Sequence, residues 1–227
     1  MQVAQVKKLI VEQITKPTAR DQQKNIGPSE IGGCPLCIGE RLAQHLPEQY
    51  PDLYDDDRFG LRAWQGTAVH EKLDRDVEIP GAIKEQKLFV HELEGYGTIK
   101  GSADFFLAGH VVDYKNPGKF SCDAMSMAWR EEPNRIPKTI YRVQQHLYGY
   151  AYELDGAKVE TVNLCVIPCT SNDPDDIVFY TEKYNREVAV KALDRLELIW
   201  KYVKDGKLEE LPMDADCYIC TRVLWRA

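Results

Sequence analysis

Asp104, Asp113 and Lys115 are spaced to act as one group. Asp104 closes the run Gly101-Ser102-Ala103-Asp104, and Val112-Asp113-Tyr114-Lys115 follows it closely. Successive side chains of a strand point to opposite faces, so Asp113 and Lys115 share a face. In the preceding run Ile99, Ala103, Phe105 and Leu107 fall on one side, with Lys100, Ser102 and Asp104 on the other. Ala108-Gly109-His110 between the two runs is short and contains a glycine, which predicts a hairpin. That pairing brings Asp104 and Asp113 to one edge of a sheet. Neighbouring carboxylates repel unless a cation separates them, and a hard divalent ion with oxygen ligands, Mg2+ or Mn2+, suits the position. An ammonium alongside would lower the pKa of a metal-bound water or stabilise developing negative charge. An isolated Asp-x-Lys is more often an outward-facing surface hairpin, so the company these residues keep decides the reading.

That company is specific. His70 ends the stretch Gly66-Thr67-Ala68-Val69-His70 in a helix ahead of the hairpin. A glycine one turn earlier is expected to let this helix pack closely on the sheet, and a neutral imidazole suits Mn2+ or completes a site of oxygens. Gln144 and Tyr148 lie four apart and therefore on one helix face, preceded by Lys138 and Arg142. Their amide and hydroxyl are placed to donate to phosphate oxygens or to hold the lysine. Two C-x2-C pairs, Cys34 with Cys37 and Cys217 with Cys220, stand near the two ends of the chain. Four thiolates hold either Zn2+ in a tetrahedron or an iron–sulfur cluster. Joining segments roughly 180 residues apart would restrain the unfolded chain by several kcal/mol. A redox C-x-x-C is the competing reading, weakened by the presence of two pairs and by Pro35 directly after Cys34. Cys122, Cys165 and Cys169 have no such partners and read as ordinary thiols.

The elements that must position these residues follow from periodicity. An amphipathic helix is expected over 1–15, a linker to 27, and a short helical turn from Pro28. Helices are predicted at 38–47, 57–77, 138–155 and 185–204, and strands at 83–92, 97–107, 110–115, 160–168 and 176–183. The order predicts an α/β fold, a mixed sheet flanked by helices. Residues 28–220 are expected to form one domain, after an N-terminal helix and linker over 1–27 and before a tail at 221–227. Residues 116–137 read as a long irregular connection, of a length that is usually functional or mobile.

Composition is that of an ordinary globular protein, 44% hydrophobic and 29% charged, with no apolar run of membrane-spanning length. The first residues lack the apolar centre of an export signal, so a cytoplasmic location is expected, and seven cysteines in such a chain favour metal over disulfides. The net charge of −7 hides a basic stretch. Residues 115–142 carry Lys115, Lys119, Arg130, Arg135, Lys138 and Arg142 against Asp123, Glu131 and Glu132. No Gly-x4-Gly-Lys-Ser/Thr loop is present, so no use of ATP is expected.

Taken in order, Gly66-x3-His70, Glu85, Gly101-x2-Asp104, Asp113-x-Lys115 and Gln144-x3-Tyr148 resemble the RecB-like branch of the PD-(D/E)xK nuclease superfamily. The flanking cysteines, and the segment Ser29-Glu30-Ile31-Gly32-Gly33-Cys34-Pro35, are similar to the iron–sulfur clasp of the Cas-type and AddB-like exonucleases. The resemblance implies a restriction-endonuclease-like core whose termini are joined by a four-cysteine 4Fe–4S cluster, with Zn2+ as the alternative. It implies that His70, Asp104, Asp113 and the backbone carbonyl of Tyr114 bind Mg2+ or Mn2+, with Glu85 as a further candidate. Lys115 would position or activate water, while Gln144 and Tyr148 would touch the DNA backbone and support the site. Lys119, Arg130, Arg135, Lys138 and Arg142 would track DNA. Relatives with the clasp place one cysteine before the core and three after, whereas this chain places two and two. The activity implied is exonucleolytic, in recombination, repair or phage DNA processing. The alternatives are an endonuclease and a non-catalytic DNA-binding module stapled by metal, the latter leaving Asp104, Asp113 and Lys115 without a purpose.

Overall fold

A computed structural model describes residues 3–14, 25–51, 61–118, 136, 138–169, 171–217 and 220. Its helices are α1 (Val3–Ile14), α2 (Pro28–Ile31), α3 (Pro35–Ala43), α4 (Leu61–Asp76), α5 (Thr139–Leu154) and α6 (Arg186–Lys204). Its strands are β1 (Ile83–Leu93), β2 (Gly97–Leu107), β3 (His110–Lys115), β4 (Thr161–Val166) and β5 (Val178–Lys183). The expected α/β fold with a mixed sheet is what forms. The strands lie in the order β1-β2-β3-β4-β5, with β3 and β4 parallel and the other neighbours antiparallel. A parallel pair needs a crossover, and α5 supplies it. Among the described residues no helix is long and apolar enough to cross a membrane.

The β2–β3 hairpin forms with the strand bounds expected. Leu107 pairs with His110, leaving Ala108 and Gly109 as a two-residue loop with φ of 48° and 92°. Positive φ at both central residues matches the right-handed twist of the flanking strands. Neither β2 nor β3 is at a sheet edge, contrary to expectation. Asp104 and Asp113 meet instead where the short β2–β3 ladder ends, one step beyond the pair Phe105 and Val112. There Asp104 Oδ2 accepts the Tyr114 N–H at 2.7 Å, so a carboxylate stands where a ladder carbonyl would.

The main core lies between the sheet and α2, α3, α5 and α6, with Leu88, Ile99, Leu147, Leu164, Leu196 and Trp200 buried in it. A smaller cluster on Phe105, Val112 and Cys165 includes Leu107, Tyr114 and Val77. The strict alternation expected for β2 therefore fails. Ile99 and Ala103 join the main core, Phe105 joins the smaller cluster, and Phe106 returns to the main one. The reversal coincides with Glu85, which faces Asp104 from β1 with φ of 47° between the pairs Lys84–Phe105 and Gln86–Ala103. A left-handed residue in a strand disrupts the ladder locally and turns side chains across faces.

Helix α3 starts earlier than periodicity suggested because Pro35 fills its first position and Cys34 its N-cap. Its middle is pinned through the buried Gly39, beside Leu208 and Leu211. Arg195 on α6 donates to Ile31 O and Gly33 O, fixing the α2–α3 connection. On α1, Val3, Val6, Leu9 and Val11 are exposed.

Candidate active site

Five elements deliver the chemistry. Helix α4 carries His70, and its C-terminal end is tied to β1 because Lys84 Nζ donates to Val77 O at 2.9 Å. A cation on the carbonyls that follow a helix is favourable. His70 Nδ1 lies 3.2 Å from Asp104 Oδ1 and 3.8 Å from Glu85 Oε1. The donor atoms of His70, Glu85 and Asp104 all fall within 4.8 Å of one another. Glu85 is held by Ser102, whose hydroxyl donates to Oε2 at 3.0 Å. Although Asp104 is so close, the buried His70 Nδ1 makes no hydrogen bond. Atoms that converge without satisfying one another are suited to a common partner, and mixed carboxylate and imidazole donors suit Mn2+ or Mg2+.

Asp113 and Lys115 share a face and pair, Oδ2 to Nζ at 2.5 Å, with Asp113 almost fully buried. Asp113 is not one of the three residues whose donor atoms converge; Glu85 is. Sequence reasoning ranked these two the other way, because the φ that turns Glu85 inward leaves no mark in local periodicity. Tyr114 gives its N–H to Asp104, and its ring meets His70 edge-on, centroids 6.2 Å apart.

Helix α5 closes the site. Gln144 Nε2 donates to Tyr148 Oη at 3.4 Å, and both residues are buried. Gly101 makes that approach feasible, since a Cβ there would sit 2.7 Å from Pro28 Cγ and 2.8 Å from Tyr148 Cε1. Both neighbours are stiff. Gly101→Ala is expected to cost about 1–3 kcal/mol, read as a lower urea midpoint at unchanged slope. An unchanged midpoint would show that the tyrosine ring is free to move aside. By contrast Gly66 has nothing within 4 Å of its would-be Cβ among the described residues, so it does not serve the close helix–sheet packing expected of it.

Sequence reasoning missed Tyr141. It lies three residues before Gln144, hence on the same face of α5. Lys115 Nζ sits 5.3 Å and Lys138 Nζ 5.4 Å from its ring centroid, within cation–π range. Arg142 is turned elsewhere: its Nε donates to both oxygens of Glu182, at 2.9 and 2.6 Å. Lys119, Arg130 and Arg135 lie outside the described residues.

The charges are mutually dependent. Burial opposes charge on His70, but Asp104 and Glu85 outweigh it and lift its pKa to about 9. Burial pushes the Asp113 carboxyl up to about 6 against the pull of Lys115, with Asp104 adding to the rise. Burial would lower Lys115, yet Asp113 and Asp104 hold it above its usual value. An excess of acidic oxygens thus draws in every cation within reach, the electrostatic condition for holding a metal.

The four cysteines also assemble. Cys37 Sγ lies 3.3 Å from Cys220 and 3.5 Å from Cys217, and Cys34 Sγ lies 3.7 Å from Cys220. None of the four is in a disulfide, and all four sulfurs lie within 4.8 Å of one another. Cys165 is a buried free thiol and Cys169 an exposed one; Cys122 lies outside the described residues.

Compared with known protein families and with curated proteins, the sequence matches none. Solved structures do match. An alkaline exonuclease, LHK-Exo from Laribacter hongkongensis, aligns over 92% of this chain and 97% of its own with a TM-score of 0.54 at 10% identity. The chain shares its fold. LHK-Exo in complex with dAMP aligns over 90% of this chain and 95% of its own, with a TM-score of 0.54 at 11% identity. A phage related exonuclease from Haemophilus somnus aligns over 73% of this chain and 81% of its own, with a TM-score of 0.46 at 12% identity.

Proposed function

We propose that the protein is a divalent-metal-dependent deoxyribonuclease, an exonuclease acting in DNA recombination, repair or phage DNA processing. The observation that carries the reading is the convergence of His70, Glu85 and Asp104 beside the buried pair of Asp113 and Lys115. His70, Glu85 and Asp104 would hold Mg2+ or Mn2+, with Asp113 and the Tyr114 carbonyl as further ligands. Bound there, the ion would polarise a phosphodiester and acidify a water. Lys115 contributes a fixed ammonium beside the reacting oxygens, and the Tyr141 ring restricts where that ammonium can go. Asp113 keeps Lys115 charged despite its burial. Gln144 and Tyr148 present an amide and a hydroxyl at the same place, groups that donate to phosphate oxygens without reading bases. Lys138, with Lys119, Arg130 and Arg135, would supply positive charge along the backbone path. The fold shared with an alkaline exonuclease crystallised with dAMP supports a DNA substrate.

The test compares linear duplex DNA with covalently closed plasmid, each with Mg2+ or Mn2+. Shortening of the linear DNA with the circle intact is the expected result. Cutting of the circle would make the protein an endonuclease. Retention of DNA without degradation under either ion would leave a binding module and overturn the proposal.

A further inference from the structure

The four-cysteine site has a size, and the size discriminates between occupants. Pro35 at the first position of α3 puts Cys34 at its N-cap and Cys37 within the first turn, so both sulfurs emerge on one side. The C-terminal pair arrives over the Leu208–Glu210 turn, and Cys217 N–H bonds Asp214 O at 3.0 Å. Asp214 N–H in turn donates to Cys34 Sγ at 3.3 Å, the backbone support a thiolate ligand commonly receives. Four thiolates about 2.3 Å from one zinc form a tetrahedron with edges of about 3.8 Å. A 4Fe–4S cube binds each thiolate at a different iron and spreads the sulfurs to roughly 6 Å or more. Three of the pairs here lie at 3.3, 3.5 and 3.7 Å. None of the six separations exceeds 4.8 Å. A cube does not fit between these sulfurs; a single ion does.

We infer that Cys34, Cys37, Cys217 and Cys220 hold one tetrahedral zinc ion in place of the iron–sulfur cluster that the resemblance implies. A second observation agrees, independent of the distances. The cysteines are divided two and two in equal C-x2-C pairs, the ligand spacing of closed structural zinc sites. All four ligands come from the chain, so the ion keeps no open position. Its role is structural, and the inference holds whether or not the protein cuts DNA.

The test uses the full chain, produced with iron and zinc both supplied and purified without oxygen. The expected result is one zinc per chain, negligible iron and acid-labile sulfide, and a colourless solution. Brown protein carrying four irons with matching sulfide would overturn the inference. So would a reduced chain that takes up no zinc. Cys37→Ser and Cys217→Ser should lose the zinc while Asp104→Ala retains it, and the reverse pattern would place the ion at the carboxylates and refute the assignment. Should the serine variants fail to fold, cobalt(II) added to the reduced, metal-free parent decides. The intense visible bands of a tetrahedral tetrathiolate are expected, and weak octahedral spectra would overturn the inference.

Discussion

Lys115→Ala and the longer, neutral Lys115→Met should each slow digestion of linear duplex DNA by about 100-fold or more, the scale on which one preorganised electrostatic partner acts. The loss should appear in kcat, because the ammonium is aimed at charge that develops during the reaction. Both variants should still fold. Removing the lysine leaves Asp113 without its counter-charge, and an unpaired buried carboxylate would ordinarily cost several kcal/mol. Asp113, however, is already pushed by burial up to about 6, and without Lys115 it rises further and takes a proton near neutrality. The sign of the remaining cost follows. A carboxyl raised in the folded state costs stability as pH climbs above its unfolded value, for as long as the folded form stays protonated, and the loss levels off above its folded value. The parent levels off at about pH 6, whereas the variant, raised further, goes on losing. Without divalent metal, variant and parent should melt together near pH 6, and the gap should widen as pH rises. Digestion by either variant within a few-fold of the parent rate would sink the role given to Lys115. A melting gap that narrows with pH would sink the electrostatic account of Asp113.

Much of this site was legible in the residues, and what escaped did so for identifiable reasons. Asp113 and Lys115 share a face because strand periodicity is local and the β3 run is short. Gly109 announced the hairpin because positive φ there is nearly free of cost. The two C-x2-C pairs stood out because their spacing is itself the chemical pattern. Glu85 was harder. Its part depends on a left-handed backbone inside a strand, a conformation that glutamate adopts only under tertiary constraint. The same kink sends Phe105 to the second cluster and breaks the alternation that periodicity predicts for β2.

Tyr141 and Gly66 erred in opposite directions. Tyr141 sits on the face of α5 already marked by Gln144 and Tyr148, yet an aromatic at helical spacing ordinarily reads as core. Only the placement of Lys115 and Lys138 over its ring reveals its position. Gly66 read as a packing device because glycine in a helix interior needs a reason. Among the described residues that reason is not contact with the sheet. Arg142 belonged by charge to a basic track, but a carboxylate from β5, distant in sequence, engages it. Local pattern identifies which residues can do chemistry, and long-range register selects which of them meet.

Cys37→Ser should lower the stability of the metal-loaded chain by several kcal/mol and leave hydrolysis, measured well below the melting temperature, within a few-fold of the parent. Cys37 and Cys217 are 180 residues apart, so the clasp closes a loop spanning most of the domain. Chain-entropy reasoning puts the restraint from so long a loop at about 5 kcal/mol, with only weak dependence on length. The clasp adds to the apolar contacts that join this segment to α3 through Leu208 and Leu211 around Gly39. Serine has nearly the shape of cysteine, so the loss isolates ligation from packing. Stripping the metal from the parent with a strong chelator under reducing conditions should reproduce the same drop, and returning zinc should restore it in the parent but not in Cys37→Ser. Equal melting temperatures for parent and variant would show that the four sulfurs meet without fastening the two ends. A fall in hydrolysis matching the fall in stability at low temperature would instead mean that the clasp shapes the site containing His70, Glu85 and Asp104.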